Sequence, residues 1–210
     1  AGLKYQFASI GLDLNSKGII GINIINLSSP NDFVRTVEQP HGTGEKFSSS
    51  DLSASITYAK ILTDRFSLGG SFKFIQQSIW HSTAKTVAVD IGTLFETPFN
   101  GIRLGASISN YGGKMRMEGR DQKISVDPDN NNEGNVEFVN AMYETDHFSL
   151  PLFFRVGLSG ELIKTESLSF TVGIDALHPN DNTEYLNLGL ELNLRDLVFI
   201  RAGLPSYYKE

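Results

Sequence analysis

Apolar and polar residues alternate along most of this chain with a period of two. The clearest stretch is Asp51 to Gln77, where Phe66, Leu68, Phe72 and Phe74 alternate with Ser67, Gly69, Ser71 and Lys73. On the arm before it Ala54, Ile56, Tyr58 and Leu62 alternate with Ser53, Ser55 and Thr57, with a two-residue turn predicted at Thr63-Asp64. That period sends one set of side chains to each face of a strand. Ten strands are predicted on the same pattern: 5–14, 18–27, 51–62, 65–76, 85–96, 101–110, 151–163, 167–177, 185–194 and 197–204. No segment carries a useful length of helical period, so the expected fold class is all-β and antiparallel. A lone hairpin is unstable in water, so these strands must share a larger sheet.

The connections alternate in length. Short ones are predicted at 15–17, 63–64, 97–100, 164–166 and 195–196, and longer ones at 28–50, 77–84, 111–150 and 178–184. All seven prolines fall in connections or at a strand start, as a paired sheet requires. Short turns on one side and long loops on the other mark an outer-membrane barrel, and strands of about 10 residues cross a bilayer at a tilt. The reading is therefore a single transmembrane β-barrel domain over 1–210, with long external loops at 28–50 and 111–149.

Face chemistry agrees. One phase carries residues such as Val87, Val89, Ile91, Leu104, Ile108, Phe154, Leu158, Ile174, Leu188 and Ile200. The other carries Asp90, Arg103, Arg155, Glu161, Asp175, Glu191 and Arg201, with glycines at 69, 92, 105, 157, 173, 189 and 203. An arginine facing lipid at mid-depth costs about 2–4 kcal/mol. The three arginines are thus expected inward, in a structural salt-bridge network with the four carboxylates. Lys60 alone breaks the apolar phase, close enough to a short turn for its stem to snorkel. A soluble sandwich has the same period, but its solvent face is normally rich in Lys, Glu and Thr rather than Gly and Ser. Tyr5 and Phe7 are out of phase with Ala8, Ile10, Leu12 and Leu14, which implies a bulge or shifted register there. With the short turns periplasmic, both chain ends fall on the external side, so a fragment lacking terminal strands is expected.

Composition narrows the chemistry. A net charge of −6 without a basic cluster argues against nucleic acid as a partner. The absence of cysteine excludes disulfides and thiol chemistry. The longest apolar run, 18–27, is of strand length rather than helix-span length. His41, His81, His147 and His178 fall in the longer connections without metal-ligand spacing and read as ordinary loop histidines. Asp127, Asp129, Asn131 and Glu133 alternate as oxygen ligands for calcium would, but Asn132 stands where an EF-hand needs glycine. A solvated acidic tip is the favoured reading there. No nucleophile–base signature appears, so an enzyme is not expected.

Five strings carry a resemblance: PHGTGEKF at 40–47, LTDRFSLGGSFKFI at 62–75, VDIGTLFETPFNGIRLGASISNYGGKM at 89–115, LPLFFRVGLS at 150–159, and NLGLEL with FIRAGLP between 187 and 205. In order and spacing they resemble the PorV/PorQ family of outer-membrane proteins of the Bacteroidetes, in the FadL-like barrel group. The resemblance implies a barrel of about fourteen strands, of which this chain supplies the middle ten. It implies an outer-membrane component of the type IX secretion system. That component works without cofactor and meets the translocon, cargo C-terminal domains, or sortase and attachment proteins. Its binding surfaces would be external loops, here 28–50 and 111–149. The alternative is FadL-like transport of hydrophobic small molecules through the lumen. A lipopolysaccharide-modifying enzyme is a third reading, without a visible catalytic pair.

Overall fold

The computed structural model describes residues 2–99, 101–127 and 138–207. The strands, in chain order, are β1 (Lys4–Asp13), β2 (Ile19–Ser28), β3 (Asp32–Phe33), β4 (Lys46–Phe47), β5 (Ser49–Thr63), β6 (Phe66–Ile79), β7 (Ser82–Glu96) and β8 (Arg103–Gly112). They continue as β9 (Glu118–Gly119), β10 (Lys123–Val126), β11 (Val139–Met142), β12 (Phe153–Lys164), β13 (Leu168–Pro179), β14 (Tyr185–Leu194) and β15 (Val198–Tyr207). Each of the ten long ones overlaps one of the ten predicted from periodicity, with ends that differ by up to three residues. They form one antiparallel sheet in the order β1-β2-β5-β6-β7-β8-β12-β13-β14-β15, with β9 added to the end of β7. No α-helix occurs among the described residues.

Turn chemistry explains the tight ends. Between β1 and β2 a 3-10 turn spans Asn15–Lys17, and Gly18 leaves it at φ 105°. A Cβ on Gly18 would stand 2.5 Å from the Ala59 carbonyl oxygen, so only glycine fits. Between β14 and β15, Arg195 and Asp196 both take positive φ, as the twist of a tight hairpin demands.

Three expectations are corrected. The β5–β6 turn is Asp64-Arg65, one residue later than the spacing suggested, because a bulge between Ile61 and Thr63 absorbs Leu62. The connection at 77–84 is no long loop: β6 and β7 stay paired to Ile79↔Ser82, leaving a two-residue turn at Trp80-His81. Its polar residues looked like a loop but pair as a ladder, with the Ser78 and Thr83 hydroxyls 3.4 Å apart. Finally, β1 pairs β2 from Lys4↔Ser28 to Asp13↔Ile19 without any register shift. Tyr5 and Phe7 simply stand beside Leu27 and Ile25 on the face that is polar elsewhere.

Directly paired residues share a face, so the ladders fix both surfaces. Ile22, Ile56 and Phe72 lie in one row of the apolar face, and Leu158, Ile174 and Leu188 in another. These side chains are bare: Ile56 is 59% exposed, Phe72 55% and Ile91 54%. Burial is found on the opposite face. Ala84, Ala88 and Leu177 belong to the polar phase, and Met115 and Leu150 from the long loop pack on Ala84 and Ala88. The sheet is thus covered, where it is covered at all, on its polar side.

Candidate functional site

The long loops and the Trp80-His81 turn gather at one end of the sheet, as strand directions dictate. The His81 ring stacks on Trp80 with centroids 4.4 Å apart. Its Nε2 accepts from the Arg120 guanidinium at 2.6 Å, and its Nδ1 lies 2.7 Å from an Asp121 carboxylate oxygen. An accepting Nε2 leaves the proton on Nδ1, which donates to Asp121. A Glu45 oxygen stands 3.9 Å from the same ring. The tip of one hairpin therefore touches both loops, and His81 is not the ordinary loop histidine that its sequence context suggested. His41 and His147 are exposed. His178 bonds Glu184 at 2.7 Å across the β13–β14 connection.

The loop after β8 is bound down at its root. Asn110, at φ 64°, donates its backbone N–H to Asp90 at 2.8 Å and its side-chain amide to the Pro151 carbonyl at 2.8 Å. Lys73 completes the knot, with its ammonium 2.7 Å from Asp90 and both side chains mostly shielded. A little further on, Met115 pairs with Phe148 and fills the space over Ala84 and Ala88, flanked by Ile75 and Met117. Gln122 accepts from the Gly119 N–H and donates to the Met117 carbonyl, and the Thr145 hydroxyl donates to that carbonyl as well. Arg116 donates to Glu118 and, at 2.8 Å, to Glu144. The hydrogen bond and charge of Glu118, with those of Glu144, hold the Arg116 guanidinium above its ordinary pKa. In the other loop, β3 and β4 make a small hairpin in which the Lys46 ammonium lies 5.0 Å over the Phe33 ring.

The charges expected to form one network are divided into local pairs. Asp90 takes Lys73, Glu191 takes Arg201 at 2.6 Å, and Glu161 takes Lys164 at 2.7 Å. Arg103 lies opposite Glu96 and Ser159 in the ladders. Arg103, Arg155 and Asp175 form no ion pair among the described residues. Arg155 and Asp175 instead edge a groove of about 320 Å³ whose floor includes Gly69, Gly92, Gly105 and Gly157. A Cβ on Gly157 would stand 2.2 Å from an Asp175 carboxylate oxygen, so the glycine makes room for that charge. Of the calcium candidates, Asp127 follows β10, whereas Asp129, Asn131 and Glu133 lie outside the described residues. Periodicity alone placed Lys73 on the polar face without its partner, and it gave no sign of Asn110, His81 or Met115. The sole tryptophan, beside His81, was the one available signal.

No known protein family, curated protein or solved structure matches the chain.

Proposed function

We propose that the chain forms the wall of an outer-membrane β-barrel, a non-enzymatic component of the type IX secretion system that holds a protein ligand on its loop end. The observation that carries the membrane reading is the inverted burial. Large apolar side chains stand bare across the ten long strands, while the fully buried ones sit on the polar face. In water such a face would collapse or aggregate; in hydrocarbon it is at home. Lys60 pairs with Leu68 close to the Asp64-Arg65 turn, where its ammonium reaches the interface. The loop end supports a binding role, because a tied-down surface loses little entropy on meeting a partner. The secretion system itself is inferred from the resemblance of the strings at 40–47, 62–75, 89–115, 150–159 and 187–205.

Transport of hydrophobic compounds fits less well. The groove on the polar face is built from glycine, Ser67, Ser107, Arg155 and Asp175, with Leu94 the one large apolar side chain from that face. The deciding experiment tags the full-length protein, extracts it from native outer membranes in mild detergent, and identifies what copurifies. Translocon subunits, a sortase, or cargo with C-terminal sandwich domains are expected. Recovery of only lipid or a small apolar ligand would move the function to transport.

A further inference from the structure

A second cavity lies on the other side of the sheet, at the upper border of the apolar face. On β7, Thr83 and Lys85 continue the phase of Val87, Val89 and Ile91, so they stand on the apolar face. Glu118 pairs with Thr83 and shares that face. Together with Lys114, Arg116 and His147 these residues line a cavity of about 530 Å³. The transition is abrupt. One ladder row pairs Phe74 with Val87; the next row up pairs Gln76 with Lys85. Tyr111, opposite Val89 and 70% exposed, adds an aromatic of the kind that sits at headgroup depth.

Charge pairing singles out two of the cations. Arg116 is occupied by Glu118 and Glu144, which fix it in the cavity wall. Lys85 and Lys114 have no carboxylate partner among the described residues, and both are exposed. Two unpaired ammonium groups therefore share one concave site, leaving it net positive against the Arg116–Glu118–Glu144 cluster, directly above the apolar face. An amphiphile held there by its headgroup would run its acyl chains down past Val87 and Phe74.

We propose that this cavity binds the phosphate-bearing headgroup of an outer-leaflet lipid, held by Lys85 and Lys114. The inference rests on the barrel reading, since the headgroup meets these residues only if the face below them is immersed. Each basic residue near an anionic membrane surface strengthens binding several-fold, so removing both lowers affinity about thirtyfold.

The test reconstitutes the full-length protein in phosphatidylcholine nanodiscs containing a minor fraction of lipid A or, separately, phosphatidic acid. After mild detergent extraction, mass spectrometry compares the phosphorylated lipid retained with that in the bulk. Wild type is expected to enrich it, K85Q/K114Q to lose the enrichment, and K60Q, at the opposite end of the strands, to keep it. Resistance of each variant to an alkaline carbonate wash in vesicles reports insertion independently. An inserted wild type with no enrichment, or equal enrichment in K85Q/K114Q, overturns the lipid site and leaves the barrel standing. Displacement of the lipid by an equal concentration of inorganic phosphate overturns it in favour of a soluble anion. Failure to insert removes the barrel reading and this inference together.

Discussion

Asp90 is the residue on which several others depend. It accepts from the Lys73 ammonium and from the Asn110 backbone N–H, both in the shielded polar face. Truncating one partner of such a pair leaves the other charge poorly solvated. Asp90→Ala is expected to lower unfolding free energy by about 2–4 kcal/mol, and Asp90→Asn by less, because the amide oxygen still accepts from Asn110. Urea titration in detergent or vesicles measures both. Glycines differ in the same concrete way. A Cβ on Gly112 would meet the Val87 carbonyl at 2.3 Å, whereas one on Gly11 would find its nearest atom at 4.0 Å. Gly112→Ala is expected to cost about 1–3 kcal/mol and Gly11→Ala close to nothing. None of this is legible in the sequence, where Gly11 stands in the polar phase of a predicted strand and Gly112 falls in a predicted loop; backbone proximity depends on how the neighbouring strand runs.

At the scale of elements, what periodicity encodes was legible and what side-chain pairing encodes was not. Ten strands follow from alternation because alternation is a property of each strand by itself. The extension of β6 and β7 to the Trp80-His81 turn was missed, since its stabilisation comes from ladder pairs between polar residues and from contacts to two other loops. The fastening of the 111–149 loop was missed for the same reason: Met115 and Leu150 look like isolated apolar residues until Ala84 and Ala88 are placed beneath them. Met115→Ala should open a cavity costing about 2–5 kcal/mol locally and make the loop more susceptible to limited proteolysis. The strands should survive that digestion intact. If the loop is cut no faster in the variant, the apolar contact does not hold it.

For the whole molecule, the two faces make opposite demands on the same substitution. Ile174 lies between Leu158 and Leu188 on the apolar face, while Thr171 lies between Glu161 and Glu191 on the polar one. Ile174→Arg is expected to cost about 2–4 kcal/mol when folded into lipid vesicles. Thr171→Arg, placed between two carboxylates, is expected to be tolerated within about 1 kcal/mol. Comparable losses for both would mean that the polar face is not the one facing away from lipid. The faces themselves were readable from the chain; the order of the sheet was readable only as the simplest way of joining hairpins.

That order has a consequence of its own. Every long strand pairs with the long strands immediately before and after it in the chain, without a crossover. Deleting the unit from β13 through β14 would bring β12 beside β15 with opposite direction preserved and each face still continuous. Duplicating a hairpin would do the reverse. The width of such a sheet is thus a countable quantity that a gene can change two strands at a time, leaving the loop-end contacts of β5 to β8 in place.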